Sequence, residues 1–192
     1  MKMICIGDSL TYGLGVPVEN SWVEILNRET DYTVWNRGIN GDTSGGMLAR
    51  LERDVLKEDP DVVFIMGGAN DFIMGCETSV VKANLMALVH QVYAAKKKVI
   101  LGIEIAGDQE HIREDWAGLA DFRKVNEKIK EMADWLPGFC KAFQIPYVNL
   151  YEEFHSKIRG HETEYFFDGV HPNGKGHRLI ADIIKLHFCA KK

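Results

Sequence analysis

Short apolar runs that alternate with segments of helical periodicity constrain the fold of this chain more than any other feature. The runs are rich in β-branched and aromatic residues, and each has the length of a buried strand. Such alternation is typical of a parallel sheet covered by helices on both faces, because each right-handed crossover places its helix against the sheet. The sequence therefore predicts a three-layer α/β/α fold with strands at Met3–Ile6, Tyr32–Trp35, Val62–Met66, Val99–Ile105 and Ile145–Leu150.

The expected strand order predicts where a ligand binds. Five such strands usually adopt the flavodoxin-like order 2-1-3-4-5, whose switch point lies between strands 1 and 3 at their carboxyl ends. We therefore expect a site beside Ser9, which follows the first strand, and beside the segment after Met66, which follows the third. Residues 106–118 leave the fourth strand at the same edge, and their sequence indicates no particular element.

Length, charge and cysteine spacing narrow the class of protein. The chain has 192 residues, 46% of them hydrophobic, which suits one domain over residues 1–192. Its net charge of -5 is spread along the chain, so we expect no nucleic-acid partner. No segment has the character of a signal peptide or the length of a transmembrane helix. Because isolated thiols are typical of reducing compartments, we expect a cytoplasmic protein with reduced Cys5, Cys76, Cys140 and Cys189.

Residues from the two ends of the chain could form a nucleophilic site. Ser9 lies in GDSLTYG directly after the first strand, where it is either a nucleophile or a helix cap. Asp168 and His171, in FFDGVHPNGKGH, are three residues apart, so both side chains can lie on one side of a turn. A serine nucleophile needs a base and a group that orients the base. His171 and Asp168 could supply these roles, although Asp168 could instead cap the last helix.

Two further segments offer hydrogen-bond donors for an oxyanion. NRGINGDTSGG follows the second strand and contains Gly41, whose backbone N–H a ligand can approach closely. MGGANDF follows the third strand and contains Asn70, whose side-chain NH₂ is a donor. The backbone N–H of Ser9 could be a third donor. A tight turn at Gly41 and a turn or helix cap at Asn70 are the alternatives.

The segments GDSLTYG, GINGDT, GGAND and DGVHPN occur in the order of the four sequence blocks of the SGNH hydrolases, also called the GDSL esterase/lipase family. The chain resembles this family over nearly its whole length. The stretch from Asn36 to Met74 looks most like the branch of multifunctional thioesterases and lysophospholipases with arylesterase activity.

The resemblance implies a single SGNH hydrolase domain with a defined set of site residues. Ser9 would be the nucleophile, and His171 with Asp168 would complete a catalytic triad. The backbone N–H groups of Ser9 and Gly41 and the side chain of Asn70 would form the oxyanion hole. The implied reaction is hydrolysis of a carboxylic ester or thioester through an acyl-serine intermediate, without a cofactor.

Several alternatives stay open from the sequence. A carbohydrate O-acetyl esterase competes with an enzyme for longer acyl chains, and a non-catalytic module could bind an acylated metabolite. Phe72, Ile73 and Met74 either line an acyl groove or begin a helix that faces the core. A metal site is not expected, because the histidines near the end of the chain lack the usual ligand spacing. The expected partner is a small acyl ester, and the sequence does not fix an oligomeric state.

Overall fold

The computed structural model describes residues 1–188, so the predicted thiol of Cys189 lies outside the described residues. Within this range the chain forms a five-stranded sheet in the order β2-β1-β3-β4-β5, and every neighbouring pair is parallel. The predicted fold class and strand order are confirmed. The strands are β1 (Lys2–Gly7), β2 (Thr33–Gly38), β3 (Val62–Met66), β4 (Lys98–Ile103) and β5 (Tyr147–Asn149).

Helices cover both faces of the sheet. They are α1 (Ser9–Tyr12), α2 (Trp22–Glu29), α3 (Ser44–Asp54), α4 (Ala69–Ile73), α5 (Thr78–Ala94), α6 (Glu114–Ala117), α7 (Phe122–Phe143), α8 (Leu150–Ile158) and α9 (Gly174–Phe188). Helices α3, α5 and α7 pack on one face, and helices α2, α8 and α9 pack on the other. Among residues 1–188, no helix is both long and apolar enough to cross a membrane.

The central strands are buried on both sides, which explains why they read as continuous apolar runs. In β1, Ile4 and Ile6 belong to the core cluster on one face, and Met3 and Cys5 belong to the cluster on the other. Successive side chains of a strand point to opposite faces of the sheet, so both layers of helices need apolar partners from the same strand.

The bounds of four strands differ from those predicted, and the bounds of β3 agree. β1 and β2 extend beyond Ile6 and Trp35, to Gly7 and Gly38. β4 stops at Ile103 rather than Ile105, and Ile105 lies beyond the strand in the wall of a cavity. β5 begins only after Pro146, which has no N–H to donate to a neighbouring strand. It ends at Asn149, whose side chain accepts a hydrogen bond from the Glu152 N–H and so begins α8.

The end of β1 brings the chain unusually close to its neighbours. A Cβ atom at Gly7 would lie 2.2 Å from Thr11 Oγ1 and 2.3 Å from the Met66 carbonyl oxygen. Only glycine fits at this position. The close approach lets α1 begin directly above the sheet edge, and Ser9 is the first residue of that helix.

Candidate active site

Ser9 lies at the carboxyl edge of the sheet and is 7% exposed. The helix cap is supplied by its neighbour, because Asp8 Oδ1 accepts a hydrogen bond of 2.9 Å from the Leu10 N–H. The Ser9 hydroxyl is instead 2.9 Å from His171 Nε2. The structure therefore corrects the capping interpretation of Ser9 and gives its hydroxyl a histidine partner.

His171 is held between Ser9 and Asp168. Its Nδ1 atom lies 2.9 Å from Asp168 Oδ2, and both side chains are almost completely buried. This contact fixes the ring so that Nε2, the other nitrogen, faces the Ser9 hydroxyl. Ser9, His171 and Asp168 therefore form one continuous row of hydrogen-bond contacts.

Asp168 is surrounded by hydrogen-bond donors. Its Oδ1 atom accepts from the N–H groups of Val170 at 3.0 Å and of His171 at 2.7 Å. Burial alone would raise the pKa of Asp168, but the hydrogen bonds from His171 and from these backbone groups hold it well below its usual value. The carboxylate stays charged and can stabilise a protonated His171.

The last helix is capped by a different residue from the one considered in the sequence. Asn173 Oδ1 accepts hydrogen bonds from the N–H groups of Lys175 and Gly176 at the start of α9. Asp168 lies in the turn before it, so the capping interpretation of Asp168 is wrong and its carboxylate is directed to His171.

Residues 106–118, which the sequence left unassigned, brace the turn that carries Asp168. The Asp108 N–H donates to the Gly169 carbonyl oxygen at 2.7 Å, and the Arg113 N–H donates to the Asp168 carbonyl oxygen at 3.0 Å.

The short helix α6 places Trp116 against His171, with ring centroids 5.2 Å apart. Trp116 Nε1 donates to Asp168 Oδ2 at 2.9 Å. Only the position of the segment at the carboxyl edge, where loops commonly shape ligand sites, indicated such a role in the sequence.

Asn70 reaches the same place from the end of β3. Its Nδ2 atom donates to the Asp42 carbonyl oxygen at 2.9 Å and lies 3.3 Å from Asp8 Oδ2. The Asp42 contact links Asn70 to the turn at Gly41, which is exposed and has a left-handed φ of +75°. Ser9 and Asn70 line one cavity, whose described lining does not include Gly41.

Arg50, in α3, holds the turn at Gly41 through contacts with Asp42 and with the end of β1. Its Nε atom lies 2.7 Å from Asp42 Oδ2, and a second nitrogen donates to the Gly7 carbonyl oxygen at 3.0 Å. Arg50 is 7% exposed, so this ion pair is largely shielded from solvent. The arginine therefore ties the end of β1 to the turn after β2, a role that the sequence analysis missed.

A cavity with an empty volume of about 420 Å³, part of it open to solvent, adjoins these side chains. Of the predicted groove residues, Ile73 lines it. Phe72 points into the core and Met74 is 74% exposed, so the expectation that they line this groove needs correction. The reason is the helical turn of α4, which directs Asn70 and Ile73 to the same side. The other apolar walls are Leu10, Ala69, Ile105, Trp116, Phe122, Val125, Ile129 and Val170.

A sequence model of the GDSL-like lipase/acylhydrolase family matches residues 5–179, a range that contains all of these site residues. The chain belongs to this family. The resemblance noted in the sequence to the GDSL esterase/lipase family is confirmed. Among residues 1–188, no group of three or more His, Cys, Asp or Glu side chains is arranged to hold a metal ion.

Relatives in the GDSL family carry esterase and thioesterase names. An arylesterase of Vibrio mimicus is 35% identical over 105 residues, which cover 52% of this chain and 52% of the relative. The thioesterase 1/protease 1/lysophospholipase L1 of Escherichia coli K12 is 27% identical over 183 residues, covering 94% of this chain and 79% of the relative. The match to the Vibrio protein thus spans about half of its length.

A solved structure matches the whole GDSL fold. The crystal structure of a lipolytic G-D-S-L family protein from Veillonella parvula superposes with a TM-score of 0.83 at 27% identity, and the match covers 100% of both chains. The similarity in fold therefore extends to the parts of the chain that the Vibrio match leaves out.

Proposed function

We propose that this chain is a serine hydrolase that cleaves carboxylic esters or thioesters through an acyl-serine intermediate. The observation that carries the proposal is the 2.9 Å contact between Ser9 Oγ and His171 Nε2, with His171 Nδ1 held by Asp168. Membership of the GDSL-like lipase/acylhydrolase family and the names of the relatives support the same chemistry.

The first half of the reaction acylates Ser9. His171 Nε2 takes the hydroxyl proton as Ser9 Oγ attacks the carbonyl carbon, which forms a tetrahedral oxyanion. Asp168 stabilises the resulting imidazolium, and its low pKa keeps it from taking the proton itself. When the oxyanion collapses, the proton moves from His171 to the leaving alcohol or thiol, and the acyl group stays on Ser9.

Donors for the oxyanion come from the three segments that the sequence nominated. The Asn70 side chain and the backbone N–H groups of Ser9 and Gly41 are assigned this role. The N–H of Ser9 belongs to the first turn of α1, where backbone N–H groups have no partner within the helix. Asn70 is supported by its place in the wall of the same cavity as Ser9 and His171. One of its two Nδ2 hydrogens stays on the Asp42 carbonyl oxygen, and the other leaves the longer contact of 3.3 Å with Asp8 Oδ2 to bind the oxyanion.

The second half of the reaction releases the acid. His171 takes a proton from a water molecule as the water oxygen attacks the acyl carbon, and it returns that proton to Ser9 Oγ when the ester bond breaks. Because all proton transfers use His171, the reaction needs no cofactor.

The size of the cavity beside Ser9 favours a small acyl group over a long acyl chain in the substrate. Ile73, Val125 and Ile129 offer apolar contacts beside Ser9, and the centre of a water-sized molecule can move through only about 20 Å³ of the cavity. A short acyl ester or thioester is therefore the proposed substrate class, and an O-acetylated carbohydrate is the alternative that a small acyl pocket also fits.

A cytoplasmic location is proposed from the free cysteines. Cys5, Cys76 and Cys140 are free thiols, and burial raises the pKa of Cys140 to about 12, which makes that thiol unreactive. Unpaired cysteines of this kind suit a reducing compartment.

The direct test of the proposal is covalent labelling with a serine-directed phosphonate. We expect one adduct, located on Ser9 by peptide mass spectrometry, with hydrolysis of p-nitrophenyl acetate lost in proportion to labelling. The His171→Ala variant should label far more slowly, because Ser9 then lacks its base. Absence of labelling together with absence of ester hydrolysis would favour the binding module over the enzyme.

A further inference from the structure

Glu104 is a buried carboxylic acid beside the site, and the proposed mechanism does not use it. It follows the last residue of β4, in the otherwise apolar run VILGIEIA, and is 7% exposed. Its Oε2 atom accepts a hydrogen bond of 2.8 Å from the N–H of Ala69, the first residue of α4. Asn70 is the next residue along that helix, so Glu104 holds the backbone that carries the oxyanion donor.

The second oxygen of Glu104 faces another acid. Among the described residues, Oε1 is fully buried and has no donor of its own. The carboxyl groups of Glu104 and Asp8 are in hydrogen-bond contact. Asp8 follows β1 and Glu104 follows β4, so the pair spans the end of β3, which lies between those strands. Two carboxyl groups can share such a contact only when one of them keeps its proton.

The hydrogen-bond donors and neighbouring side chains of Asp8 and Glu104 indicate which of the two carboxyl groups is neutral. Asp8 accepts hydrogen bonds from the Leu10 N–H and from Asn70 Nδ2, and these bonds favour its ionised form. Within residues 1–188, Glu104 accepts a hydrogen bond only from the Ala69 N–H. Its other neighbours include Asp71, and it faces apolar side chains such as Val81, Ile129 and Met132 in an adjoining cavity.

The pKa shifts of the two carboxyl groups agree with a neutral Glu104 and an ionised Asp8. Burial raises the pKa of Glu104 well above its usual value, and repulsion from Asp8 and Asp71 adds to the effect. Burial also raises the pKa of Asp8, but the hydrogen bonds from Glu104 and Leu10 and the nearby His171 act in the opposite direction, while Asp42 adds some repulsion. The single proton of the pair therefore belongs to Glu104.

We propose that Glu104 is a positioning residue that stays protonated, donates a hydrogen bond to Asp8, and through Asp8 and Ala69 keeps Asn70 at the cavity until its longer hydrogen bond, to Asp8, is exchanged for one to the oxyanion. Asp8 is thus more than a cap of α1, because its carboxyl group contacts both Glu104 and Asn70 Nδ2. The inference rests on the proposed function, in which Asn70 is an oxyanion donor.

Two neutral substitutions test the hydrogen bonds of Glu104. Glu104→Gln keeps a group that donates to Asp8 and an oxygen that accepts from Ala69. Glu104→Met has a similar length but can do neither. We expect Glu104→Gln to keep kcat for p-nitrophenyl acetate within about threefold of the wild type, whereas Glu104→Met lowers kcat about tenfold to a hundredfold with little change in KM. Glu131→Gln, on the surface of α7, is the matched control.

The protonation state is measured separately, by infrared spectroscopy of the whole protein at neutral pH. The wild type and Glu131→Gln should show the C=O stretch of a protonated carboxyl group, and Glu104→Gln should lack it. This band does not depend on catalysis, so it survives if the ester hydrolase assignment fails. A band unchanged in Glu104→Gln, a kcat for Glu104→Gln as low as that for Glu104→Met, or a wild-type kcat in Glu104→Met would each overturn the inference.

Discussion

The Trp116 indole N–H donates a hydrogen bond of 2.9 Å to Asp168 Oδ2, the same oxygen that faces His171 Nδ1. Trp116 also packs its ring against His171, with centroids 5.2 Å apart. One side chain from the loop after β4 therefore touches two members of the proposed triad. This arrangement fixes the direction of the carboxylate and shields one side of the imidazole.

Removing the indole donor should weaken catalysis without removing the packing. We expect Trp116→Phe to lower kcat/KM about tenfold, because a hydrogen bond to a charged group contributes about 1.5 to 3 kcal/mol. The measurement is the initial rate on p-nitrophenyl acetate. Trp135→Phe is the matched control, since Trp135 stacks on Phe139 in α7 away from the site. Equal rates for the two variants would contradict the role of Trp116.

Asn70 offers the sharpest test of the oxyanion assignment. Asn70→Ala should lower kcat about 10²- to 10³-fold with a small change in KM, because the lost donor acts on charge that develops in the transition state. Asn84→Ala is the control, since Asn84 Nδ2 donates a part-buried hydrogen bond to Ser44 Oγ but Asn84 does not line the cavity. If Asn70→Ala raises KM and leaves kcat intact, the side chain binds substrate rather than the oxyanion.

Much of this architecture is readable from the sequence, because it depends on local patterns. The predicted bounds of β3 are those observed, since all five of its residues are buried and the run is purely apolar. Ser9 and Asn70 were predicted because the ends of parallel strands meet at one edge of a sheet, a rule that needs no side-chain detail. His171 was predicted from its spacing of three residues from Asp168.

The parts that the sequence did not reveal depend on contacts between distant loops. Trp116 lies in a segment without periodicity, and its partner Asp168 is 52 residues away. The directions of the Phe72 and Met74 side chains depend on how the short helix α4 is rotated about its axis. Glu104 had a signal, a lone carboxyl group within an apolar run, but its meaning required the position of Asp8. The single-domain organisation stays a prediction.

Ile73 and Met74 form a natural pair for testing the acyl pocket. Ile73 lines the cavity and Met74 is exposed, although they are adjacent in sequence. We expect Ile73→Trp to lower the ratio of butyryl to acetyl ester hydrolysis at least about tenfold by filling the pocket. Met74→Trp should leave this ratio unchanged. A shift in both variants, or in neither, would contradict the proposed acyl site.

His177 makes stability depend on pH. It is buried in α9, where its Nδ1 accepts a hydrogen bond of 3.4 Å from the Trp22 N–H. Burial lowers the pKa of His177 from 6.5 to about 4. The unfolded chain therefore binds more protons in this range, so the free energy of unfolding falls as the pH drops below about 6.5 and levels off near 4.

The contribution of His177 can be isolated by urea unfolding between pH 7 and pH 4.5. The wild type should lose up to about 3 kcal/mol from this residue, and His177→Gln should lose less over the same interval. The pKa of His155 is also lowered by burial, so part of the loss should remain in the variant. His161→Gln, at an exposed position, is the control. Equal slopes for wild type and His177→Gln would contradict the assignment.

The central claim is that Ser9 is the nucleophile, and one comparison of rates tests it most directly. Initial rates on p-nitrophenyl acetate should be measured for the wild type and for Ser9→Ala at neutral pH, with circular dichroism to confirm that both are folded. The account predicts hydrolysis by the wild type and a loss of about 10⁴-fold or more in Ser9→Ala. A folded Ser9→Ala variant that hydrolyses the ester at the wild-type rate would contradict it.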